Sequence, residues 1–458
     1  MKWTKEQEQA ILESGANILV AAAAGSGKTA VLVERIINKI INQKVDIDSI
    51  LIVTFTNAAA SEMRERIVNA IYKKLETNPE DSHLQKQLIL LNRASICTIH
   101  SFCLEVIRNH FYETLESANF QIGDSAEMEL LKQEVMEEMF EEKYEAKDKD
   151  FILLLDTYTA YDDDTKLKEL LFNIYKFIQS SPFPKETLET IIKELKIENN
   201  QMGFEQNKWG KVLLQEVERE ICGYQTELKN ILKKMNRFPE LEKFIRVIQT
   251  DLEQFENLQK SLYSFDKAYN VSQTIDLKKW PIDRKVENPL KETAKKTRDK
   301  IRKKYDSVKE KILCCDSITA NKELEEMYPI LSAIQDLLIE FMERFTKAKR
   351  EKNKIDFNDI EHLALNLLLK KNENGVYQKT KIAEEYTNKF TQIAIDEYQD
   401  SNLVQESILK SISNGHNLFM VGDIKQSIYR FRQARPQLFL DKYKIFSSGS
   451  LKSAPKRK

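Results

Sequence analysis

The sequence predicts an α/β protein, with a parallel sheet built around a phosphate-binding loop and interrupted by a long helical segment. Three observations lead there. The apolar strand Asn17-Ile18-Leu19-Val20 runs into the small-residue stretch Ala21 to Gly27 and then Lys28-Thr29, followed by helically spaced apolar residues. Further short apolar runs, at Ile50–Val53, Ser95–Cys97, Ile393–Ile395 and Leu418–Val421, each end in polar residues. Between residues 111 and 354, glycine and proline are sparse and apolar residues recur at three and four, as in Leu228-Ile231-Leu232-Met235.

The first of these is the strand–loop–helix context of a phosphate-binding loop. Small residues let backbone N–H groups close around phosphate oxygens, and a helix N-terminus favours negative charge. Ala22, Ala23, Ala24, Gly25, Ser26, Gly27, Lys28 and Thr29 form the expected cradle. Lys28 would reach the terminal phosphates, and the Thr29 hydroxyl would ligate Mg²⁺. The first glycine of the usual pattern is replaced by Ala22, which is nearly as small. The plainer reading is a small-residue turn packing a helix on a sheet.

Upstream, residues 3–15 read as a short amphipathic helix carrying Gln7. A glutamine amide both donates and accepts, so it could read an adenine edge. It could equally be an ordinary surface residue. Downstream, Ile50-Leu51-Ile52-Val53 ends in Thr54-Phe55-Thr56-Asn57, and Ile96-Cys97 leads to Thr98-Ile99-His100-Ser101-Phe102. In open parallel sheets, ligands bind outside the carboxyl ends of the strands, so these polar ends point to one shared site. His100 is a candidate there, against the alternative of a structural histidine.

The helical stretch is broken near Ser180–Pro184, Asn199-Asn200 and Trp280-Pro281. Its charges are uneven: residues 113–150 are acidic and residues 278–311 are basic. Such runs are solvated helix faces or, for the basic one, a phosphate-backbone contact. Strands then return. Phe390–Ile395 runs into Asp396-Glu397-Tyr398-Gln399-Asp400. An aspartate there would hold Mg²⁺, and the glutamate would orient and polarise an attacking water. Leu418–Val421 leads to Gly422-Asp423, Gln426 and the aromatic and basic cluster Tyr429-Arg430-Phe431-Arg432, which suits a phosphate sensor joined to a base-stacking surface. Lys28 and Asp396 must approach one Mg-nucleotide, so the helical stretch between them is expected to be an insertion in one nucleotide-binding sheet.

Composition narrows the class. A length of 458 residues predicts two or more domains. Hydrophobic content of 41%, charged content of 31%, 11 glycines and 9 prolines favour a soluble, helix-rich protein. No apolar run approaches the ~20 residues of a membrane span, and the N-terminus has no signal-peptide core. The five cysteines, Cys97, Cys103, Cys222, Cys314 and Cys315, show no C-x-x-C spacing. We expect reduced thiols, a cytoplasmic location, no membrane association and no metal–sulfur site. A net charge of −1 does not by itself announce a nucleic-acid binder.

Taken together, these motifs resemble those of UvrD/Rep-type superfamily 1A DNA helicases. Gln7 matches the Q motif, Ala22–Thr29 motif I, and Thr54–Asn57 with Ala59-Ala60 and Glu62-Met63 motif Ia. Thr98–Phe102 resembles the T-x-H-S-F element, and Asp356-Phe357-Asn358-Asp359 the D-F-x-D segment. Asp396–Asp400 resembles motif II, and Gly422-Asp423 with Gln426–Arg432 motif III. Details of the phosphate loop, of Leu91–Ser95 and of Lys425–Arg432 are similar to the RecB-related AddA group of helicase–nuclease proteins.

The resemblance implies a RecA-like lobe 1A made from residues 1–110 and 355–446, a helical insertion 1B at 111–354, and an unstructured tail at 447–458. It implies ATP and Mg²⁺ as cofactors, with Lys28 and Thr29 on phosphate and metal, Asp396 on Mg²⁺, Glu397 as general base and Gln426 as γ-phosphate sensor. Phe55, Thr56, Asn57, His100, Phe431 and Arg432 are the implied DNA contacts. The implied activity is 3′-to-5′ translocation and unwinding of DNA ends in double-strand-break repair, with single strands and duplex ends as substrates and an AddB-type protein as heterodimer partner. Motifs IV to VI, the second RecA-like lobe and a nuclease domain are not found in residues 1–458, so this stretch alone is expected to bind ATP and DNA without unwinding. Two other classes stay open: a non-enzymatic DNA- or partner-binding fragment, and a P-loop ATPase unrelated to DNA.

Overall fold

The computed structural model describes residues 3–23, 25–114, 119–158, 163–197, 199, 201–283, 285–427 and 435–448. The predicted sites Ala24, Phe431 and Arg432, and the tail from 449 on, lie outside the described residues. The chain divides into two compact units. One comprises Met1–Lys147, Tyr161–Thr187 and Leu338–Lys458, and the other Asp148–Ala160 and Leu188–Leu337.

The first unit is organised by five strands: β1 (Ile18–Ala21), β2 (Ile50–Thr54), β3 (Ser95–Thr98), β4 (Gln392–Ile395) and β5 (Leu418–Gly422). All pair parallel, in the order β1-β5-β4-β2-β3. The apolar runs are continuous rather than alternating because both faces are covered, as parallel sheets require. On one face Ile50, Ile52, Ala394, Phe419 and Val421 pack with α2 (Lys28–Ile41) and α3 (Asn57–Thr77) through Leu32, Ile36, Met63 and Ile67. On the other, Leu51, Val53, Ile393, Ile395 and Met420 pack with Phe102, Val106, Leu365 and Ile408. Those last four come from the helices Ile99–Asn109, Phe357–Leu368 and Leu403–Ser411.

The N-terminal helix α1 (Lys5–Leu12) begins at a capping box, in which Thr4 Oγ1 accepts from the Gln7 amide and Gln7 Oε1 accepts from the Thr4 amide. Its other end is held by Arg35 of α2, a fully buried side chain. The guanidinium donates to the Ala10 and Ile11 carbonyls at 2.7 and 3.3 Å and to Gln392 Oε1 at 3.0 Å, and lies 4.5 Å from the Phe419 ring centroid. Burial lowers its pKa to about 10. Periodicity cannot reveal such a residue, because an arginine in an otherwise apolar helix reads as solvent-facing.

Two pairings went unanticipated. Gln121–Ile122 pairs parallel with Lys354–Ile355, and Leu369–Lys371 pairs antiparallel with Tyr377–Lys379. Segments of two and three residues carry no alternation to read.

The second unit is helical. Lys208–Met235, Glu242–Ser261, Phe265–Thr274 and Pro289–Lys311 surround a core that includes Ile221, Leu228, Phe244, Phe255 and Ile301. The basic run is heterogeneous. Arg298 is buried and donates from Nε to Asp251 Oδ2 at 2.5 Å, while Lys300 and Lys304 pair with Glu227 and Glu220. Lys295, Lys296, Arg302 and Lys303 are exposed.

Candidate functional site

The phosphate loop joins β1 to α2. Gly25 and Gly27 have φ of 74° and 81°, a left-handed region that costs other residues ~1–2 kcal/mol. Gly27 is the N-cap of α2, so the free N–H groups and positive dipole end of that helix face the loop. Two backbone bonds shape it: Ala22 N–H to the Gly422 carbonyl at 3.2 Å, and Ser26 N–H to the Ala23 carbonyl at 3.2 Å. Gln7 Nε2 donates to the Ser26 carbonyl at 3.1 Å, so the Q-motif glutamine is tied to the loop itself.

Lys28 is the first residue of α2, and its side chain is buried. Its Nζ donates to Gln426 Oε1 at 2.9 Å and lies 3.9 Å from Glu397 Oε2. One ammonium therefore touches groups that follow β4 and β5. Thr29 Oγ1 donates to Asp396 Oδ2 at 3.5 Å. The sheet order explains this meeting, since β5 lies next to β1 and β4 next to β5, although both are far from β1 in sequence.

Asp396 extends the β4 ladder, its N–H donating to the Val53 carbonyl at 2.9 Å. Burial pushes its carboxyl above the usual carboxylate range, and neighbouring Glu397 adds to the shift. Glu397 has φ of 51°, an uncommon conformation for a residue with a side chain. It is retained by its surroundings. Gln399, fully buried, donates from Nε2 to Glu397 Oε2 at 2.7 Å and to Asp400 Oδ2 at 3.2 Å, while its Oε1 accepts from Asp423 N–H at 2.9 Å. Gln399 thus locks the acidic loop to the end of β5. A Cβ on Gly422 would collide with the Gln399 amide oxygen, so that approach requires glycine.

These groups open onto a cavity of about 370 Å³, lined among others by Thr29, Phe55, Thr56, Asp396, Glu397 and Gln426. Among the described residues no three His, Cys, Asp or Glu side chains converge as a metal site. Mg²⁺ typically takes one or two carboxylates together with substrate phosphates and water, so a hydroxyl and a half-buried carboxylate are a fitting donor set.

The raised Asp396 carboxyl has a measurable consequence. A folded-state pKa above the unfolded one means that folding takes up a proton between the two values, and stability falls as pH rises through that window. Asp396→Asn is therefore expected to raise the thermal midpoint of the metal-free protein near neutral pH and to remove Mg²⁺-dependent nucleotide binding. Thermal melts with and without Mg–ATP check both.

The remaining predicted positions are spread more widely. Thr56 is the N-cap of α3, its Oγ1 accepting from Ala59 N–H at 3.1 Å, and Asn57 follows it, exposed. His100 sits in the first turn of α5 (Ile99–Asn109; α4 being Ser82–Leu90), away from the cavity-lining set. Its Nε2 lies 3.3 Å from Glu361 Oε1, and its ring meets the Phe357 ring edge-on at 5.8 Å. Phe357 is 55% exposed. It is the residue that sequence reasoning passed over, although the signal was present. The capping box Asp356-x-x-Asp359 places this aromatic in the first turn of a helix.

A phosphate loop whose lysine faces an acidic pair, at the carboxyl ends of parallel strands, defines the class: an α/β nucleotide-binding fold of the P-loop type. The chain belongs to the UvrD/REP helicase family, whose N-terminal domain matches residues 3–447. Curated relatives, each named as the A component of an ATP-dependent helicase/nuclease, are similar along almost the whole chain. The Clostridium kluyveri protein is 45% identical over 455 residues, covering 97% of this chain and 36% of its own length. The Clostridioides difficile protein is 44% identical over 459 residues, with 97% and 36% covered. The Thermoanaerobacter pseudethanolicus protein is 46% identical over 455 residues, with 97% and 37% covered. The chain thus spans little more than a third of the length of these relatives. Among the described residues no helix is long and apolar enough to cross a membrane.

Proposed function

We propose that this chain carries the ATP-binding helicase lobe of an AddA-type helicase–nuclease. The complete protein would couple ATP hydrolysis to 3′-to-5′ movement on DNA and to the unwinding of DNA ends in double-strand-break repair, in the cytoplasm and with an AddB-type partner. The observation that supports this most is the convergence of Lys28, Gln426 and Glu397 around one ammonium, with Thr29 beside Asp396. In this reading residues 1–110 and 355–446 act as lobe 1A, 111–354 as the 1B insertion, and 447–458 as a tail.

Each group then has one task. Lys28 and the N–H groups of the Ala22–Thr29 loop other than those of Ala22 and Ser26, which bond the Gly422 and Ala23 carbonyls, hold the β- and γ-phosphates, and Gln7 fixes the loop beneath the adenine. Thr29 and Asp396 hold Mg²⁺, which supplies charge neutralisation at the phosphates when bound. Glu397 accepts a proton from the attacking water. Gln426 exchanges its Lys28 contact for the γ-phosphate and reports its presence to the segment after β5. Turnover becomes strand separation only where an opposing lobe closes over ATP.

Phe55, Thr56, Asn57, His100, Phe431 and Arg432 form the DNA side, and Phe357 joins them as a stacking platform. Base–aromatic stacking is worth ~1–3 kcal/mol per base, so Phe357→Ala is expected to weaken single-stranded DNA binding by about that amount with nucleotide affinity unchanged. Fluorescence anisotropy of a labelled oligonucleotide reads it. For the function itself, the test is DNA-stimulated ATP turnover by the protein carrying this segment. Turnover indifferent to DNA would instead favour an ATPase unrelated to DNA. Salt-sensitive DNA binding without turnover would favour a binding fragment.

A further inference from the structure

The proposed DNA side and the acidic loop are joined by one buried carboxylate. Glu361 lies one helical turn after Phe357 and is almost fully buried. Three side chains converge on it. His100 Nε2 lies 3.3 Å from Oε1, Gln405 Nε2 donates to Oε1 at 2.7 Å, and Asn402 Nδ2 donates to Oε2 at 3.2 Å. Asn402 is itself the N-cap of helix Leu403–Ser411, its Oδ1 accepting from Gln405 N–H at 2.8 Å. That helix starts just after Asp400, and the acidic loop leading to it is held by side-chain contacts. Tyr398 and Gln399 are buried, Tyr398 Oη donates to Glu406 Oε2 at 2.7 Å, and Gln399 grips Glu397 and Asp400.

We propose that Glu361 is a positioning residue that couples nucleic acid at His100 and Phe357 to the geometry of Asp396 and Glu397. The proposal rests on the functional reading above. A carboxylate in a low-dielectric site is costly unless its lone pairs are met, so its two amide donors and the His100 ring beside it are energetically interdependent. A phosphate or base that draws the His100 ring away leaves Glu361 held by Asn402 and Gln405 alone. The response falls on the cap of the helix that follows the acidic loop. Phe357 shares the helix face of Glu361, so a base stacked on Phe357 also bears on the His100 ring.

Coupling of this kind is reciprocal and is read as the factor by which one ligand changes affinity for the other. The test titrates a fluorescent ATP analogue with Mg²⁺ into the full chain, with and without saturating oligo-dT, in wild type, Glu361→Gln and Asn402→Ser. Serine keeps a capping oxygen for the Leu403–Ser411 helix but is too short to donate to Glu361, so it guards against misfolding of the Glu361 variant. Wild type is expected to show a coupling factor of about 5 or more, in the usual range for linked sites. Both variants are expected to bring it within twofold of 1, while nucleotide affinity without DNA stays within twofold of wild type. Combining His100→Ala with Glu361→Gln should add nothing further. A coupling factor of 1 in wild type, or an undiminished factor in both variants, overturns the role of Glu361. Failure of wild type to bind the analogue at all overturns the functional reading, and the coupling role with it.

Discussion

Replacing Glu397 with glutamine is expected to slow ATP hydrolysis by about 10²–10⁴-fold, the usual contribution of a positioned general base. Mg–ATP binding should change only a few-fold. Glutamine preserves the volume of the side chain, and its carbonyl can still accept from Gln399 Nε2, so the loop geometry is expected to survive. The carboxylate proposed to accept the proton is what disappears. In kinetic terms the loss should fall on kcat with KM nearly unchanged, since the interaction is made mainly in the transition state. Phosphate release at saturating DNA reads the first quantity, and equilibrium nucleotide titration the second. The left-handed backbone of Glu397 bears on the same point, because a strained residue at the end of a strand persists only where its surroundings over-determine it.

Lys349→Met is expected to have the largest effect on stability. The Lys349 side chain is 3% exposed, with Nζ 2.8 Å from Asp356 Oδ2, 2.6 Å from Asp359 Oδ2 and 4.3 Å from the Phe345 ring centroid. Removing one member of a buried ion cluster typically costs about 3–5 kcal/mol, because the remaining charges are left uncompensated. The lost stability should appear as a lower urea midpoint with an unchanged slope. Adding Asp356→Asn and Asp359→Asn to Lys349→Met should restore part of it, because the uncompensated charges are then gone. Burial alone would lower the Lys349 pKa, but Asp359 and Asp356 more than offset that and raise it. The stabilisation is therefore fully present below the ordinary lysine value of about 10.4 and is lost as pH rises through the higher folded value. Asp356 also caps the helix that carries Phe357 and Glu361, so destabilisation here should loosen the proposed DNA side first.

Much of the first unit was legible in the sequence because its signals are local. Each of the five strands is four or five residues long with an apolar centre, and the phosphate loop sits between strand and helix. The meeting of Lys28 with residues after β4 and β5 was legible too, since a Mg-nucleotide requires it. What escaped depends on contacts across the fold. Arg35 and Arg298 carry no local sign of burial, yet each is buried, against the carbonyls of α1 and against Asp251 respectively. In sequence Gln399 is simply one residue of the Asp396–Asp400 segment. Its role appears only when Gly422 and Asp423 arrive from a neighbouring strand. Phe357 belongs to a segment recognised by resemblance, and Glu361 lies just beyond it. Their relation to His100 exists only because their helix packs on α5.

The measurement that bears most directly on the nucleotide site is equilibrium titration of a fluorescent ATP analogue into the 458-residue chain, with and without Mg²⁺, in wild type and Lys28→Ala. Saturable, Mg²⁺-dependent binding is expected in wild type. Truncating a buried charged partner costs about 2–5 kcal/mol, so Lys28→Ala should weaken binding by that much. Absence of saturable binding in the folded wild-type chain, or binding indifferent to Lys28, would contradict a nucleotide site built from β1, β4 and β5.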